Sequence, residues 1–485
     1  MKTTMDTLAF ATIKELRTLL ADREISSQEL LESCIKRFSV HDGDLQSALE
    51  IFETNSILER SQKQGMLFGI PGILKDNISQ EGRTLTCASK ILEGFNAAYD
   101  ATATARLKKE GALILGRANM DEFAMGSSGE TSAYQKTKNP WDSSRVPGGS
   151  SSGSIAAVAA GLVPWALGSE TGGSVRLPAA FCGIVGSKPT YGLVSRSGLV
   201  AYASSLDQIG VVTRTVYDNA VVLSAIAGHD PKDSSSLAVE KKDYTQSLDG
   251  KIPANLRIGI VENALYAPGM NSEVVVAIEE AIKVLEGLGA KTRRIKLSTM
   301  DYSAATYFIL SRAEAASNLA RFDGVRYGLR DKKAATLTDM YCNTRHDGFG
   351  AEVKARILIG NYVLSAGYAD AYYEKAKKVQ RMMCKEFTEM FNEVDLLVMP
   401  THPEPAFKFG AFDTDKLAMD LQDYFTCAMN LVGIPALNVP CGFTQSNLPI
   451  GFQFAGPHLS DELILQVAHA YEQATPWHTM HPKGF

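Results

Sequence analysis

Three stretches of this 485-residue chain combine residue types that could do chemistry. GILKDN places Lys75 at the end of an apolar run, VPGGSSSGS (146–154) sets Ser150, Ser151 and Ser152 behind two glycines, and GSETGGSVRLP (168–178) holds Ser174 behind Gly172 and Gly173. Glycine- and serine-rich text is ordinarily a flexible linker. Here IAAVAAGLVPWALG (155–168) follows at once, among the least polar runs in the chain, and a solvated spacer would not stand beside it. A phosphate cradle fails as well, because a Walker-type loop needs a lysine directly after its last glycine. Neither stretch has one, and Lys188 in GIVGSKPT is out of frame and precedes Pro189. The remaining reading is a serine hydroxyl that does chemistry.

A serine is a weak nucleophile at its own pKa and needs a base within hydrogen-bonding reach. The histidines nearest in sequence are His41 and His229, and the serine stretches do not read as the strand-to-helix elbow of a Ser–His–Asp hydrolase. A lysine can take the base's part, since burial pulls its pKa from ~10.4 towards neutrality. Lys75 is the candidate.

The elements that must carry these residues alternate between strand and helix. ISSQELLESCIKRF opens on a capping box, Ser26 with Glu29, and continues with Leu30, Leu31, Cys34, Ile35 and Phe38 at helical spacing. GIPGILKDNIS (69–79) reads as a short buried strand that delivers Lys75, and DATATARLKKEGALILGRANM as helix then strand with Gly111 at the break. Residues 155–168 read as a small-residue helix running into a strand, and GSETGGSVRLPAAFCGIVGSKPT as a long glycine-punctuated loop. LRIGIVEN and NSEVVVAIEEAIKVLEGLG form a further strand–helix unit, residues 303–395 are mainly helical, and VDLLVMPT, IPALNVPCG and PIGFQFAG supply buried strands. Such alternation predicts an α/β fold with a substantially parallel sheet. HDPKDSSSLAVEKKD (229–243) is polar, but the pattern resumes on both sides, so it reads as a surface loop inside one domain.

Composition narrows the class. With 45% hydrophobic and 21% charged residues the chain is an ordinary globular protein, long enough to bury a large core without metals or disulfides. The N-terminal MKTTMDTLAFATIKELR lacks the apolar run of a secretory signal, and the 155–168 run is too short for a membrane span and is broken by Gly161 and Pro164. No membrane association is expected. Seven scattered cysteines without a C-x-x-C pair point to a reducing compartment, a cytoplasm, and to no zinc site. The eight histidines form no cluster, so no metal is expected, and a net charge of −5 gives no footprint for nucleic acid.

Taken together, GILKDN, GGSSSGS and GSETGGSVRLPAAFCG resemble the amidase signature family, which uses a Ser–Ser–Lys triad. The resemblance implies an amidase-signature fold over residues 1–485: a mixed, largely parallel β-sheet covered by helices on both faces. N-terminal helices would occupy 1–65, the catalytic core 66–230 and a helical substrate-pocket region 300–395. It makes Ser174 the acylated nucleophile, Ser150, 24 residues earlier, a bridging serine behind a cis-type peptide bond, and Lys75 the base. The backbone N–H groups of Thr171, Gly172, Gly173 and Ser174 would form the oxyanion hole. Two positions depart from the family pattern: Ser152 stands where a glycine is usual, and Glu170 where an aspartate is usual.

MDEFAMGSSGETSAY, KNPWD, SLDQIG, FDGVRYG, FGAEVKARILIG and YADAYYEKA, spread between residues 66 and 456, are similar to the glutaminase subunits of tRNA-dependent amidotransferases within that family. That resemblance implies glutamine as substrate and B and C subunits as partners. The partner would hold the tRNA, the ATP and the magnesium, with no cofactor on this chain, in a bacterial cytosol before an organelle. Glutamine needs a cation for its carboxylate and an anion for its ammonium. By motif these are Arg356 and Asp423, with Tyr307 lining the site and Ser127 and Ser128 near the scissile amide. Two alternatives stay open at this point, a stand-alone hydrolase of small amides and a catalytically dead scaffold subunit. The Arg356–Asp423 pair argues against the first, the intact Lys75, Ser150 and Ser174 against the second.

Overall fold

A computed structural model describes residues 8–485 except 61 and 63. The first seven residues, on which the absence of a signal partly rests, lie outside the described residues. Among the described residues all eleven strands join one sheet in the order β1-β3-β2-β4-β6-β5-β10-β11-β9-β7-β8. The strands are β1 (Ala48–Ile51), β2 (Pro71–Lys75), β3 (Leu113–Ala118), β4 (Trp165–Glu170), β5 (Val185–Lys188), β6 (Gln208–Thr213), β7 (Arg257–Val261), β8 (Lys291–Ile295), β9 (Leu396–Pro400), β10 (Ala436–Phe443) and β11 (Pro449–Ala455).

Strand residues alternate between two cores, which is the two-residue period of a pleated strand. On β2, Ile73 joins the core beneath the Ser27–Leu45 and Ser152–Ala159 helices, while Leu74 joins that beneath Val216–Ile226, Ser272–Gly287 and Asp461–Gln473. Leu115 against Ile114 on β3 and Ala166 against Leu167 on β4 divide the same way. Further along the sheet, Leu397 and Met399 face a core built with Ser303–Asn318, Ala351–Leu364 and Lys375–Met390, while Leu396 and Val398 face the opposite side. Helices therefore cover both faces, and the central strands β2, β4, β5 and β6 are buried along their whole length.

The sheet is mixed, but less parallel than expected. Four pairings are parallel (β2–β3, β2–β4, β7–β8, β7–β9) and six antiparallel (β1–β3, β4–β6, β5–β6, β5–β10, β10–β11, β9–β11). A parallel neighbour needs a crossover, usually helical, and the parallel pairs β2–β3 and β7–β8 do enclose the Thr102–Lys109 and Ser272–Gly287 helices. Between β5 and β6, and between β10 and β11, no helix intervenes, so those neighbours run antiparallel.

The capping box is present: the Ser26 hydroxyl accepts from the Glu29 N–H and the Glu29 carboxylate from the Ser26 N–H. The long loop expected over 168–190 is instead the end of β4, the Arg176–Cys182 helix and β5. Seven- and four-residue elements broken by glycine carry too little periodicity to show in the sequence. The 229–243 segment holds no helix or strand, and among the described residues no helix is long and apolar enough to cross a membrane.

Candidate active site

β2 is buried along its whole length and ends on Lys75, whose side chain is fully buried between β4 and the serine loop. Its Nζ lies 2.8 Å from the Ser150 Oγ and 2.9 Å from the Ser151 Oγ, and donates to the Ser169 carbonyl at 3.0 Å. Burial lowers the Lys75 pKa to about 7, although the charges of Asp121, Asp207 and Glu170 pull the other way. Near neutral pH a large fraction of Lys75 is therefore the free amine, which can accept a proton.

The serine loop is held from both sides. The Gly149–Ser150 peptide is cis. The Ser150 carbonyl accepts from the Asp121 N–H at 3.1 Å and the Gly149 N–H donates to the Ser127 carbonyl at 2.9 Å. Asp121 in turn accepts from the Gly129 N–H at 2.9 Å and from the Thr131 N–H and hydroxyl at 3.0 and 2.9 Å, fixing the 127–131 turn over the loop. Ser151 supports the lysine: its hydroxyl donates to the Ser169 carbonyl at 3.1 Å and its N–H to the Ser174 carbonyl at 3.2 Å. Residues 149–153 spell G-S-S-S-G, a literal match to the nucleophile-elbow pattern that the sequence reading did not register. Its context is wrong, for no strand precedes it and the central Ser151 is bound to lysine and carbonyl, not to histidine.

Ser174 stands where β4 has ended and the Arg176–Cys182 helix begins. Among the described residues its hydroxyl makes no hydrogen bond, and the backbone N–H groups of residues 171–174 donate none. The loop is shaped from outside: the Thr171 hydroxyl donates to Asp207 and the Gly172 carbonyl accepts from the Thr426 hydroxyl, both at 2.7 Å. Glu170, the longer carboxylate, accepts from the Val175 and Arg176 N–H groups at 3.2 Å each and pairs with the Arg176 guanidinium. Burial pushes the Glu170 carboxyl up, but Arg176 and these hydrogen bonds outweigh it and hold it below the usual range. Ser152 is fully buried in the first turn of the Ser152–Ala159 helix, and among the described residues its hydroxyl has no hydrogen-bond partner.

Two distant segments close over this loop. A methyl group on Gly172 would come within 2.5 Å of the Tyr307 ring, and one on Gly173 within 2.5 Å of the Asp423 carboxylate. Asp423 accepts from the Ser127 hydroxyl at 2.8 Å. Arg356 donates from Nε to Glu352 at 2.8 Å and from Nη1 to the Tyr202 hydroxyl at 2.9 Å. A cavity of about 100 Å³ is lined by Arg356, Glu352, Ser127 and Ser128. The structure thus sets an anion, Asp423, against the loop that carries Ser174, and a cation, Arg356, on a cavity lined by Ser127, whose hydroxyl donates to Asp423. Sequence reasoning missed Tyr202, Asp121 and Glu352. Only Glu352 had a local signal, a carboxylate four residues before Arg356 on one helix face. Among the described residues no cluster of three His, Cys, Asp or Glu side chains is arranged to hold a metal ion, and all seven cysteines are free thiols.

Comparison with known proteins gives a consistent result. The amidase family model matches residues 29–465. The A subunit of glutamyl-tRNA(Gln) amidotransferase from Halalkalibacterium halodurans is 49% identical over 479 residues, covering 97% of this chain and 98% of that protein. The crystal structure of the corresponding A subunit of glutamyl-tRNA(Gln) amidotransferase from Thermotoga maritima superposes with a TM-score of 0.83 at 41% identity, over 98% of this chain and 97% of that one. The structure of 6-aminohexanoate cyclic dimer hydrolase in complex with substrate reaches 0.85 at 27% identity, over 98% and 99%.

Two outcomes follow from the geometry. Amide hydrolysis at this site should fall as pH drops through about 7, because protonated Lys75 has no lone pair to accept with; a kcat/KM profile flat from pH 6 to 8 would remove Lys75 as the base. Arg176→Met leaves the Glu170 carboxylate buried without its partner and should cost about 3–5 kcal/mol in denaturant unfolding.

Proposed function

The chain belongs to the amidase family, and we propose that within it the chain is the glutamine-hydrolysing A subunit of a tRNA-dependent amidotransferase. The observation that supports this reading is a cation and an anion that share Ser127: Asp423 stands against Gly173 and accepts from the Ser127 hydroxyl, and Arg356 lines a cavity with Ser127. A small-amide hydrolase has no use for a paired cation and anion, whereas an amino acid presents both opposite charges. Full-length similarity to amidotransferase A subunits at 49% identity supports the same reading.

In the mechanism, the Arg356 guanidinium receives the glutamine α-carboxylate and Asp423 the α-ammonium, with Tyr307 lining the site and Ser127 and Ser128 beside the scissile amide. These contacts direct the side-chain amide carbon at the Ser174 hydroxyl, which turns a bimolecular encounter into a positioned one. As the Ser174 Oγ–C bond forms, the Ser174 proton passes to Ser150 and the Ser150 proton to the neutral Lys75 amine, 2.8 Å away. The carbonyl oxygen becomes an oxyanion facing the N–H groups of residues 171–174. Collapse breaks the C–N bond. The proton returns from Lys75 through Ser150 to the leaving nitrogen, which departs as ammonia. Water, deprotonated by the same relay, then attacks the acyl-enzyme, and glutamate leaves with Ser174 restored.

On this reading residues 1–485 act as one amidase unit in the cytoplasm, and the ammonia is consumed on a B subunit, with a C subunit in the assembly. There ATP-activated Glu-tRNA(Gln), Asp-tRNA(Asn) or both are amidated, with tRNA, ATP and magnesium held by the partner. The chain's net charge of −5 fits that division of labour.

Ser174→Ala in the assembled complex should lower glutamine-dependent transamidation by at least about 10³-fold while ammonium-driven transamidation persists. Loss of both would make Ser174 a residue of assembly. Arg356→Ala should raise the glutamine KM by about 10–100-fold, the worth of a charged hydrogen-bonded contact, and leave ammonium-driven turnover unchanged. An unaltered KM would take Arg356 out of the pocket.

A further inference from the structure

Glu122 follows Asp121 in the chain and is 1% exposed. Its carboxylate accepts from the Gly350 N–H with both oxygens, at 3.1 and 2.9 Å, and from the Ser89 hydroxyl. Gly350 is the N-cap of the fourteen-residue helix Ala351–Leu364, and no side chain of that residue caps the helix. The first turn of a helix leaves N–H groups unspent and carries partial positive charge. Glu122 meets both needs from a different segment of the chain.

The contact also fixes position. A methyl group on Gly350 would lie 2.3 Å from Glu122 Oε2, so only glycine lets the helix start come this close. Around it the Ser89 hydroxyl reaches the Gly348 carbonyl at 3.2 Å and the Phe349 ring packs edge-on against Phe123 at 5.7 Å. The start of the helix is thus docked on the turn that follows Asp121. Arg356 lies six residues beyond Gly350, a rise of roughly 9 Å, and its guanidinium must still meet the Tyr202 hydroxyl. A small rotation or slide at the cap therefore moves the guanidinium out of register with the pocket.

We propose that Glu122 is a positioning residue for the substrate clamp: by holding the Gly350 N–H it fixes the helix that presents Arg356 and so sets the affinity for glutamine. The proposal rests on the reading of this site as a glutaminase. Glu122 touches none of the reacting atoms; it acts through Arg356.

The test is the glutamine kinetics of the assembled complex with Glu122→Gln. The glutamine side chain turns one of the two acceptor oxygens on the Gly350 N–H into a donor and removes the carboxylate charge at the helix start, so the hold on that N–H weakens in a buried place. The expected result is a glutamine KM raised about fivefold or more with kcat within about twofold. In an Arg356→Ala background the same substitution should change KM no further, because two residues acting through one contact do not add. An unchanged KM, a fall in kcat at constant KM, or full additivity with Arg356→Ala would each overturn the proposal. Should Glu122→Gln not yield soluble complex, Gly350→Ala opens the same contact from the helix side and is read by the same criteria. A wild-type complex that turns over small amides but no glutamine would overturn the glutaminase reading, and the proposal with it, before any variant is compared.

Discussion

The structure depends on keeping Lys75 buried and unpaired with any carboxylate. A direct ion pair at about 4 Å and an effective dielectric of about 20 is worth roughly 4 kcal/mol, equal to about three pKa units. Such a pair would cancel the lowering that burial produces and leave a permanent ammonium. Three carboxylates are close enough to act on Lys75, namely Asp121, Asp207 and Glu170. Each is committed elsewhere: Asp121 to the Gly129 and Thr131 N–H groups, Asp207 to Thr171 and the Tyr202 and Ala203 N–H groups, Glu170 to Arg176. The partners left to Lys75 are two hydroxyls and a carbonyl, all neutral.

The same commitments build the rest of the site. The hydrogen bonds that divert Asp121 hold the 127–131 turn above the serine loop, those of Asp207 hold the 171 side of the oxyanion loop, and those of Glu170 fix the start of the Arg176–Cys182 helix behind Ser174. The family's usual aspartate and the glutamate found here differ by one methylene. The longer side chain still reaches two backbone N–H groups and the guanidinium.

Much of this was legible in the sequence because local pattern carried it. The β2 strand ending on Lys75, the helix–Gly111–β3 unit and the Ser26–Glu29 cap all show in residue patterns a few positions long. What escaped was either too short to show a period or joined by long-range contact. The Arg176–Cys182 helix and β5 were read as loop, and the sheet was expected to be largely parallel because strand–helix alternation says nothing of how helix-free neighbours pair. Tyr202 meets Arg356 across 154 positions and Ser127 meets Asp423 across 296, distances over which no spacing rule operates. Arg356 and Asp423 entered through motif resemblance and not through any reading of their neighbours.

Those long-range contacts have a physical consequence for specificity. On the proposed reading the groups that surround the substrate come from residues 127, 307, 356 and 423, and two of them are packed on glycines of the proposed oxyanion loop. Tyr307 closes on Gly172 and Asp423 on Gly173, at separations that exclude any side chain there. The ammonium side of the clamp and the oxyanion loop would therefore be one packing unit, whereas Arg356 is carried on a helix docked at Glu122, apart from that loop. Because a misplacement of about 1 Å can cost two orders of magnitude in rate, a ligand that fits the Asp423 side poorly would also meet a poorly formed oxyanion hole. On this reading the carboxylate contact acts on binding, and the ammonium contact acts on the chemical step as well.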